Sequence, residues 1–149
     1  MTLVLAAGAA SVSEAKINGY YFKNGGVSVT MDSPAKAFIA KAGKVEKKIV
    51  KKSCAYKGKD RIYQYKNFIL YTYSNSDKGA EYVQAISFRN KNVATSEGVK
   101  IGSAESLVKK KYKKAKEEYG VYTDIKGNTK LQMVVKNGKV QNIRYTANK

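Results

Sequence analysis

The chain has no histidine or tryptophan, a single cysteine (Cys54) and a single proline (Pro34). Without histidine it lacks the side chain that most often serves as general base, proton shuttle or metal ligand. One cysteine can form neither an intrachain disulfide nor a cysteine-based metal site. We expect Cys54 to be a small buried apolar residue, with a reactive thiol or an intermolecular link as the alternative.

Acidic residues are also scarce, with 11 Asp and Glu against 29 Lys and Arg and a formal net charge of +18. They are scattered, without the paired spacing that acid–base catalysis uses, and no glycine-rich phosphate loop is present. We therefore predict that the protein is not an enzyme and has no cofactor and no metal site. Solvated or helix-capping roles are expected for the loop and helix-start carboxylates Asp60, Asp77, Glu97, Glu105 and Asp124.

Arginine is rare among the basic residues, which include only Arg61, Arg89 and Arg144. Lysine is a strongly hydrated point charge, whereas arginine is the usual residue for bidentate recognition of phosphates and base edges. The charge therefore favours loose attraction to polyanions over specific readout, and we do not expect a nucleic-acid partner.

The densest basic cluster lies on a predicted helix and just beyond it. Glu105 stands four residues before Lys109 and would partly balance it. A solvated helix face is one interpretation; contact with an anionic envelope polymer or a membrane surface is the other. The candidate anion-binding residues are Lys109, Lys110, Lys113 and Lys114.

Residues 1–15 are typical of a signal-peptide remnant, with a short apolar run and small residues at Ser13 and Ala15, the −3 and −1 positions of a cleavage site. The usual basic start is missing, and Ala9 stands where a lipoprotein would carry its lipidated cysteine. A disordered or helical tail is the alternative. The run is too short to span a membrane, so we expect an exported protein, secreted or at the cell surface.

The sequence contains an internal echo that predicts a repeated unit. Residues 83–88 read VQAISF and residues 140–145 read VQNIRY, while 26–29 (GVSV) resembles 98–101 (GVKI). A chain of 149 residues that is 43% hydrophobic suffices for one domain with a core. We predict a single domain over residues 16–149 made of two repeats, about 20–92 and 93–149.

In each repeat the Gly-Val segment is predicted to lead into a helix, which is followed by strands. One helix begins at Pro34 and ends at Gly43, and the other runs from Ser103 to about Lys116. Asn137-Gly138 is the strongest hairpin signal. The predicted strands are 16–23, 27–29, 47–52 (an edge strand whose lysines blunt aggregation), 61–65, 68–73, 82–88, 119–124, 129–136 and 139–145.

Strand alternation assigns the echoed residues to faces. Ile86 and Phe88, together with Ile143 and Tyr145, are predicted to lie in the core beneath the helices. Val83 and Val140 each precede the corresponding isoleucine by three residues, an odd number, and would therefore lie on the opposite, semi-exposed face. The same reasoning directs a group of aromatic residues to that open face, where they would contact a protein partner or pack among themselves. These candidate binding residues are Tyr63, Tyr65, Tyr71 and Tyr73.

The order Gly-Val-x-[Val/Ile], helix, then strands ending in Val-Gln-x-Ile-x-[Phe/Tyr] resembles the tandem units of the beta-lactamase inhibitor protein fold. Residues 53–65 and 95–103 are similar to secreted proteins and lipoproteins of Gram-positive gut bacteria. The resemblance covers about residues 20–145. It implies an α+β fold in which two helix-plus-antiparallel-strand units form one curved antiparallel sheet, with helices on one face and an open concave face.

In the inhibitor that concave face binds an enzyme, but none of its contact residues can be matched here, so the analogy extends to the fold alone. We therefore expect an exported, non-enzymatic binding module that contacts a protein partner through its tyrosine-rich sheet face. The alternative is an electrostatic binder of anionic envelope polymers or a membrane surface through its lysine clusters.

Overall fold

The structure is a computed structural model that describes residues 19–148, so the predicted signal-peptide remnant at residues 1–15 lies outside the described residues. The described part forms ten strands and two short helices. None of its helices is long and apolar enough to cross a membrane. The elements are β1 Tyr21–Asn24, β2 Val27–Thr30, α1 Lys36–Lys41, β3 Lys47–Lys52, β4 Lys59–Gln64, β5 Phe68–Ser74, β6 Glu81–Phe88, α2 Glu105–Lys111, β7 Lys116–Glu118, β8 Val121–Lys126, β9 Thr129–Lys136 and β10 Lys139–Ala147.

The protein is predominantly β, and the prediction of an α+β fold with helices on one face is wrong. An eight-stranded antiparallel sheet has the order β3-β4-β5-β6-β10-β9-β8-β7, and β1 and β2 form a separate hairpin. The helices have six and seven residues and bury Phe38 and Val108 respectively. Much of the remaining cover over the core comes from the β1–β2 hairpin and from loops, which contribute Phe22, Val29 and Val99.

Both helices are shorter than their sequences predict. Ala35 at the start of α1 offers no side-chain cap, and Gly43 beyond its end has a φ of 101°. The second helix stops because Tyr112 leaves helical geometry, with a φ of −123°. Its ring is buried and its hydroxyl lies 2.7 Å from Glu97 Oε1. Burying that side chain therefore takes precedence over extending the helix to Lys116.

The two echoed strands, β6 and β10, are neighbours at the centre of the sheet. Ser87 lies directly opposite Arg144, and Ile86 lies opposite Tyr145. Ser87 and Arg144 hold the same position in the two echoed segments. The register therefore relates the two segments by an approximate two-fold axis that passes between this pair.

A β-bulge occurs at the same place in both echoed strands. Gln84 is the extra residue between the pairs that Val83 and Ala85 make with β5, and Gln141 is the extra residue in β10. A bulge shifts the alternation of faces by one residue. Val83 and Val140 are consequently buried, and their predicted exposure is wrong. The predicted core positions Ile86, Phe88, Ile143 and Tyr145 are confirmed as buried.

Matching hydrogen bonds tie each bulged strand to the segment before a helix. Val83 accepts a hydrogen bond from the Asp32 amide (2.8 Å) and donates its own amide to the Ser33 carbonyl (2.9 Å). The corresponding bonds in the second half join Gly102 N to Val140 O (2.8 Å) and Val140 N to Ser103 O (2.8 Å). Each helix is thereby held against the end of its own bulged strand.

Candidate functional site

The sheet has a core face, which carries Leu70 and Ile86, and an opposite open face, which carries Tyr71, Ser87 and Arg144. Leu70 and Ile86 are fully buried, whereas the three open-face residues are half-buried. Tyr71 is thus on the open face, as predicted.

Tyr63 and Tyr65 lie on the core face, so their predicted placement on the open face is wrong. Tyr63 is directly opposite Leu70, and residues opposite each other in a ladder share a face. Their exposed fractions are only 4% and 3%. The Tyr63 hydroxyl donates a hydrogen bond to Glu81 Oε2 (2.7 Å), and the Tyr65 ring stacks on Phe68 at 4.6 Å.

The open face contains a cavity of about 390 Å³ in the first half of the sheet, which we call the open-face pocket. This volume lies within the range of small-ligand and side-chain sites. Its lining includes Lys51, Tyr56, Tyr71, Tyr73, Gln84 and Arg144.

One wall of the pocket is the loop of residues 53–58 between β3 and β4. Ser53 Oγ accepts the amides of Ala55 (3.3 Å) and Tyr56 (3.0 Å), which curls the loop. A Cβ atom at Gly58 would lie 2.2 Å from the Ser74 carbonyl oxygen, so only glycine fits there. The curled loop places the Tyr56 ring parallel to Tyr73, with centroids 4.3 Å apart.

The same loop carries Cys54, which is a free and exposed cysteine. The expectation of a buried apolar residue is therefore wrong. The loop lies over the open face, and its residues 54 and 55 contribute nothing to the core. The small apolar side chain of cysteine therefore does not indicate burial at this position.

Arg144 is one of three cationic residues in the pocket lining, with Lys51 and Arg61, and two neighbours hold it in place. Its Nη1 donates a hydrogen bond to Ser87 Oγ (2.7 Å), and its guanidinium carbon lies 4.7 Å from the centroid of the Tyr71 ring. That distance is typical of a cation–π contact. Arg144 was not selected as a site residue from the sequence. The echo nevertheless contained a signal, since the first echoed segment has serine at the corresponding position.

Gln84 supplies an unusual acceptor to the pocket lining. Its Oε1 atom is buried and has no hydrogen-bond partner among residues 19–148. A buried polar atom left without a partner costs about 1–3 kcal/mol. The bulge therefore places a buried carbonyl oxygen without a partner in the pocket lining.

Elsewhere in the described structure, five carboxylates accept hydrogen bonds from tyrosine hydroxyls. Three of these carboxylates, Asp124, Glu97 and Glu105, were expected in solvated or capping roles. Burial and the bond to Glu81 raise the pKa of Tyr63. The bond to Glu105, together with burial, raises the pKa of Tyr122 to about 12. The pairs are Tyr20–Asp124, Tyr63–Glu81, Tyr73–Asp32, Tyr112–Glu97 and Tyr122–Glu105. No metal-binding group of three or more acidic or cysteine side chains occurs within residues 19–148.

The predicted lysine cluster is exposed on the far half of the molecule. Lys109 and Lys110 lie in the last turn of α2, where positive charge is favourable, and Lys113 and Lys114 follow in the connection to β7. All four are exposed and make no ion pair within the part of the chain that the structure describes. Glu105 bonds to Tyr122 and not to Lys109.

No protein-family model, curated protein or solved structure matches this chain. The family resemblance seen in the sequence motifs therefore stays a prediction. The open-face pocket and the lysine cluster are identified by the positions and contacts of the residues that form them.

Proposed function

We propose that this protein is an exported, non-enzymatic binding module that contacts a partner protein through the open-face pocket. The observation that carries this proposal is the Arg144 guanidinium, which Ser87 and Tyr71 hold at the wall of an open cavity. A cation fixed in this way recognises a carboxylate with little loss of side-chain freedom.

The pocket lining indicates which group of the partner enters it. Arg144 makes no ion pair with any carboxylate among residues 19–148, so it can form charge-assisted bonds to an Asp or Glu side chain of the partner. Gln84 Oε1 is buried in the same lining and has no hydrogen-bond partner among the described residues. The stacked rings of Tyr56 and Tyr73 add a flat amphipathic wall of the kind that is enriched at protein interfaces.

Affinity capture from an envelope extract of the source cells tests this proposal. The immobilised protein should retain a partner, and Arg144→Gln and Tyr71→Ala should each weaken capture by about tenfold. Tyr119→Ala is the matched control, because Tyr119 is 95% exposed on β7–β8, outside the pocket. Equal capture by all four proteins would rule out the open-face pocket as the contact.

A second candidate function is electrostatic binding of an anionic envelope polymer through the lysine cluster. The observation in its favour is that Lys109, Lys110, Lys113 and Lys114 are exposed and without ion pairs among the described residues. Retention on immobilised poly-glutamate should fall steeply with salt. Lys113→Glu with Lys114→Glu should elute earlier than Lys23→Glu with Lys91→Glu, which has the same net charge. Equal elution would show that total charge alone governs retention.

A further inference from the structure

The edge strand β3 offers a second surface, which shares Lys51 with the open-face pocket. It was predicted as an edge strand and is confirmed as one, pairing with β4 on one side only among the described strands. All six of its residues pair regularly with β4, and Val50 is 49% exposed. The opposite edge, β7, has three residues, two of them glutamates.

The outward hydrogen-bonding groups of β3 follow from its register. The Ser53 amide, just beyond the strand, donates inward to the Gly58 carbonyl (3.1 Å). Amides two residues apart in a strand point to the same side. The amide of Lys51 therefore points inward toward β4, whereas those of Val50 and Lys52 point outward and are available to a further strand.

The side chains of β3 select the charge of such a strand. Lys47 and Lys51 project on the open side, Lys48 and Lys52 on the other, and all four are exposed. A second copy of β3 would oppose lysine with lysine, which is unfavourable. A strand with acidic residues at alternate positions would instead place carboxylates beside Lys47 and Lys51, and its remaining side chains would point to the side that carries Lys48 and Lys52.

A groove beside β3 adds a place for an apolar side chain. This β3 groove has a volume of about 650 Å³ and separates β3 from α1. Lys48 lies at its rim, with its ammonium 5.2 Å from the centroid of the Tyr63 ring. The lining includes Pro34, Ile39, Ala40, Lys48, Tyr63 and Ala80.

We propose that β3 binds an extended acidic segment of a partner protein as an additional strand, with one apolar side chain of that segment in the β3 groove. Main-chain hydrogen bonds supply affinity in this mode of recognition, and pockets for alternate side chains supply specificity. The β3 groove lies on the side of the sheet opposite the open-face pocket, and Lys51 is the one β3 residue that lines that pocket.

The probe is a labelled peptide of alternating glutamate and valine, with binding followed by fluorescence anisotropy. Val50→Pro removes one outward amide without breaking a bond to β4, a substitution that edge strands tolerate. It should weaken binding by about tenfold or more, whereas the matched control Val50→Thr should change it by less than about threefold. Equal binding by the two variants would overturn the proposal.

Two further probes separate this mode from simple charge attraction. The same peptide with lysine in place of glutamate should not bind. The glutamate peptide methylated on alternate backbone nitrogens should bind the unaltered protein at least about tenfold less tightly, because its ladder bonds are blocked. This arm also serves if Val50→Pro fails to fold. Unchanged binding of the methylated peptide would overturn the proposal.

Arg144→Gln distinguishes this proposal from the proposed function. Binding of the glutamate–valine peptide should persist in that variant, because Arg144 lies on β10, which three strands separate from β3 in the sheet. Loss of peptide binding in Arg144→Gln would show that the peptide enters the open-face pocket, which would contradict binding at β3 and support the proposed function.

Discussion

The β3–β4 and β7–β8 connections occupy corresponding places in the two halves of the sheet and differ sharply. Six residues, 53–58, join β3 to β4, and only two, Tyr119 and Gly120, join β7 to β8. The longer connection folds back over the open face and brings Tyr56 onto Tyr73. The shorter one is a tight turn whose tyrosine projects into solvent. A matched framework thus carries a cavity wall in one half only.

The comparison separates what the two halves share from what distinguishes them. They share the bulge at Gln84 and Gln141 and the buried isoleucines Ile86 and Ile143. They differ where Ser87 faces Arg144 across the centre of the sheet. The shared features stabilise the sheet, and the differences build the open-face pocket.

The largest expected effect concerns alkaline pH. Tyr63 and Tyr122 hold equivalent positions, opposite Leu70 and Met133 respectively, and both have a raised pKa in the folded protein. For Tyr122 the pKa rises from its ordinary 10.0 to about 12. The folded state therefore retains this proton more tightly than the unfolded chain, and its stability falls as pH rises from 10 to about 12.

Urea unfolding as a function of pH measures this effect. The unfolding free energy of the wild type should begin to fall near pH 10 and decline further as the pH rises, with tyrosinate absorbance rising in step. Tyr122→Phe should show a smaller loss over the same interval, and so should Tyr63→Phe. A pH dependence that differs in only one of the two variants would break the equivalence of the halves.

The next largest effect tests the shared core. Ile86→Ala and Ile143→Ala should each lower the unfolding free energy by about 3 kcal/mol, because both side chains are fully buried and their removal leaves a cavity. Denaturant unfolding measures both. The matched control is Ile125→Ala on the exposed part of β8, which should change stability by less than about 0.5 kcal/mol. Unequal costs for Ile86 and Ile143 would show that the halves carry different shares of the core.

A smaller effect concerns the long connection. Gly58→Ala should cost about 2 kcal/mol, because its Cβ would approach the Ser74 carbonyl to 2.2 Å and the loop would have to shift. The shift should also expose Tyr56 and Tyr73 to iodination. Gly25→Ala is the control, since nothing lies within 4 Å of its Cβ, although its φ of +62° still carries a small strain. If Gly58→Ala had the same stability and iodination as the wild type, Gly58 would not be required to hold the loop of residues 53–58 as a wall of the pocket.

The smallest expected effect concerns the tight turns. Tyr119 and Asn137 have φ values of 51° and 54°, and each precedes a glycine with positive φ. Asparagine tolerates this conformation better than an aromatic residue. Tyr119→Asn should therefore raise the unfolding free energy by about 1 kcal/mol, and Asn137→Tyr should lower it by a similar amount. If Tyr119→Asn destabilised the protein, Tyr119 would have a structural role that its 95% exposure does not suggest.

Most strand positions along the chain could be predicted from the sequence, because alternation and turn residues are local signals. The strand Thr129–Lys136, the Asn137-Gly138 turn and the edge position of β3 are as predicted. The buried positions of Ile86 and Ile143 followed from the echo. The face of Val83 could not be predicted, because a bulge depends on the partner strand and one extra residue inverts the alternation.

The candidate site was predicted only in part. Tyr71 lies on the predicted face, but Tyr63 and Tyr65 were misplaced, because the β4–β5 hairpin sets Tyr63 opposite Leu70 and therefore on the core face. Arg144 escaped notice because its partners, Ser87 and Tyr71, are distant in sequence. The two echoed segments differ at three positions, and the pair Ser87 and Arg144 is the one that adds a charge.

By itself, the sequence determined the composition that limits this protein's chemistry: no histidine, one cysteine, few carboxylates and a net charge of +18. It also determined the echoed strands, since their apolar residues and turns act locally. Only the tertiary structure decided that the two echoed strands lie side by side, that the helices are short, and that Arg144 rests on Tyr71 beside a cavity. These features depend on strand register and on the burial of side chains such as Tyr112, which arise when distant segments pack together.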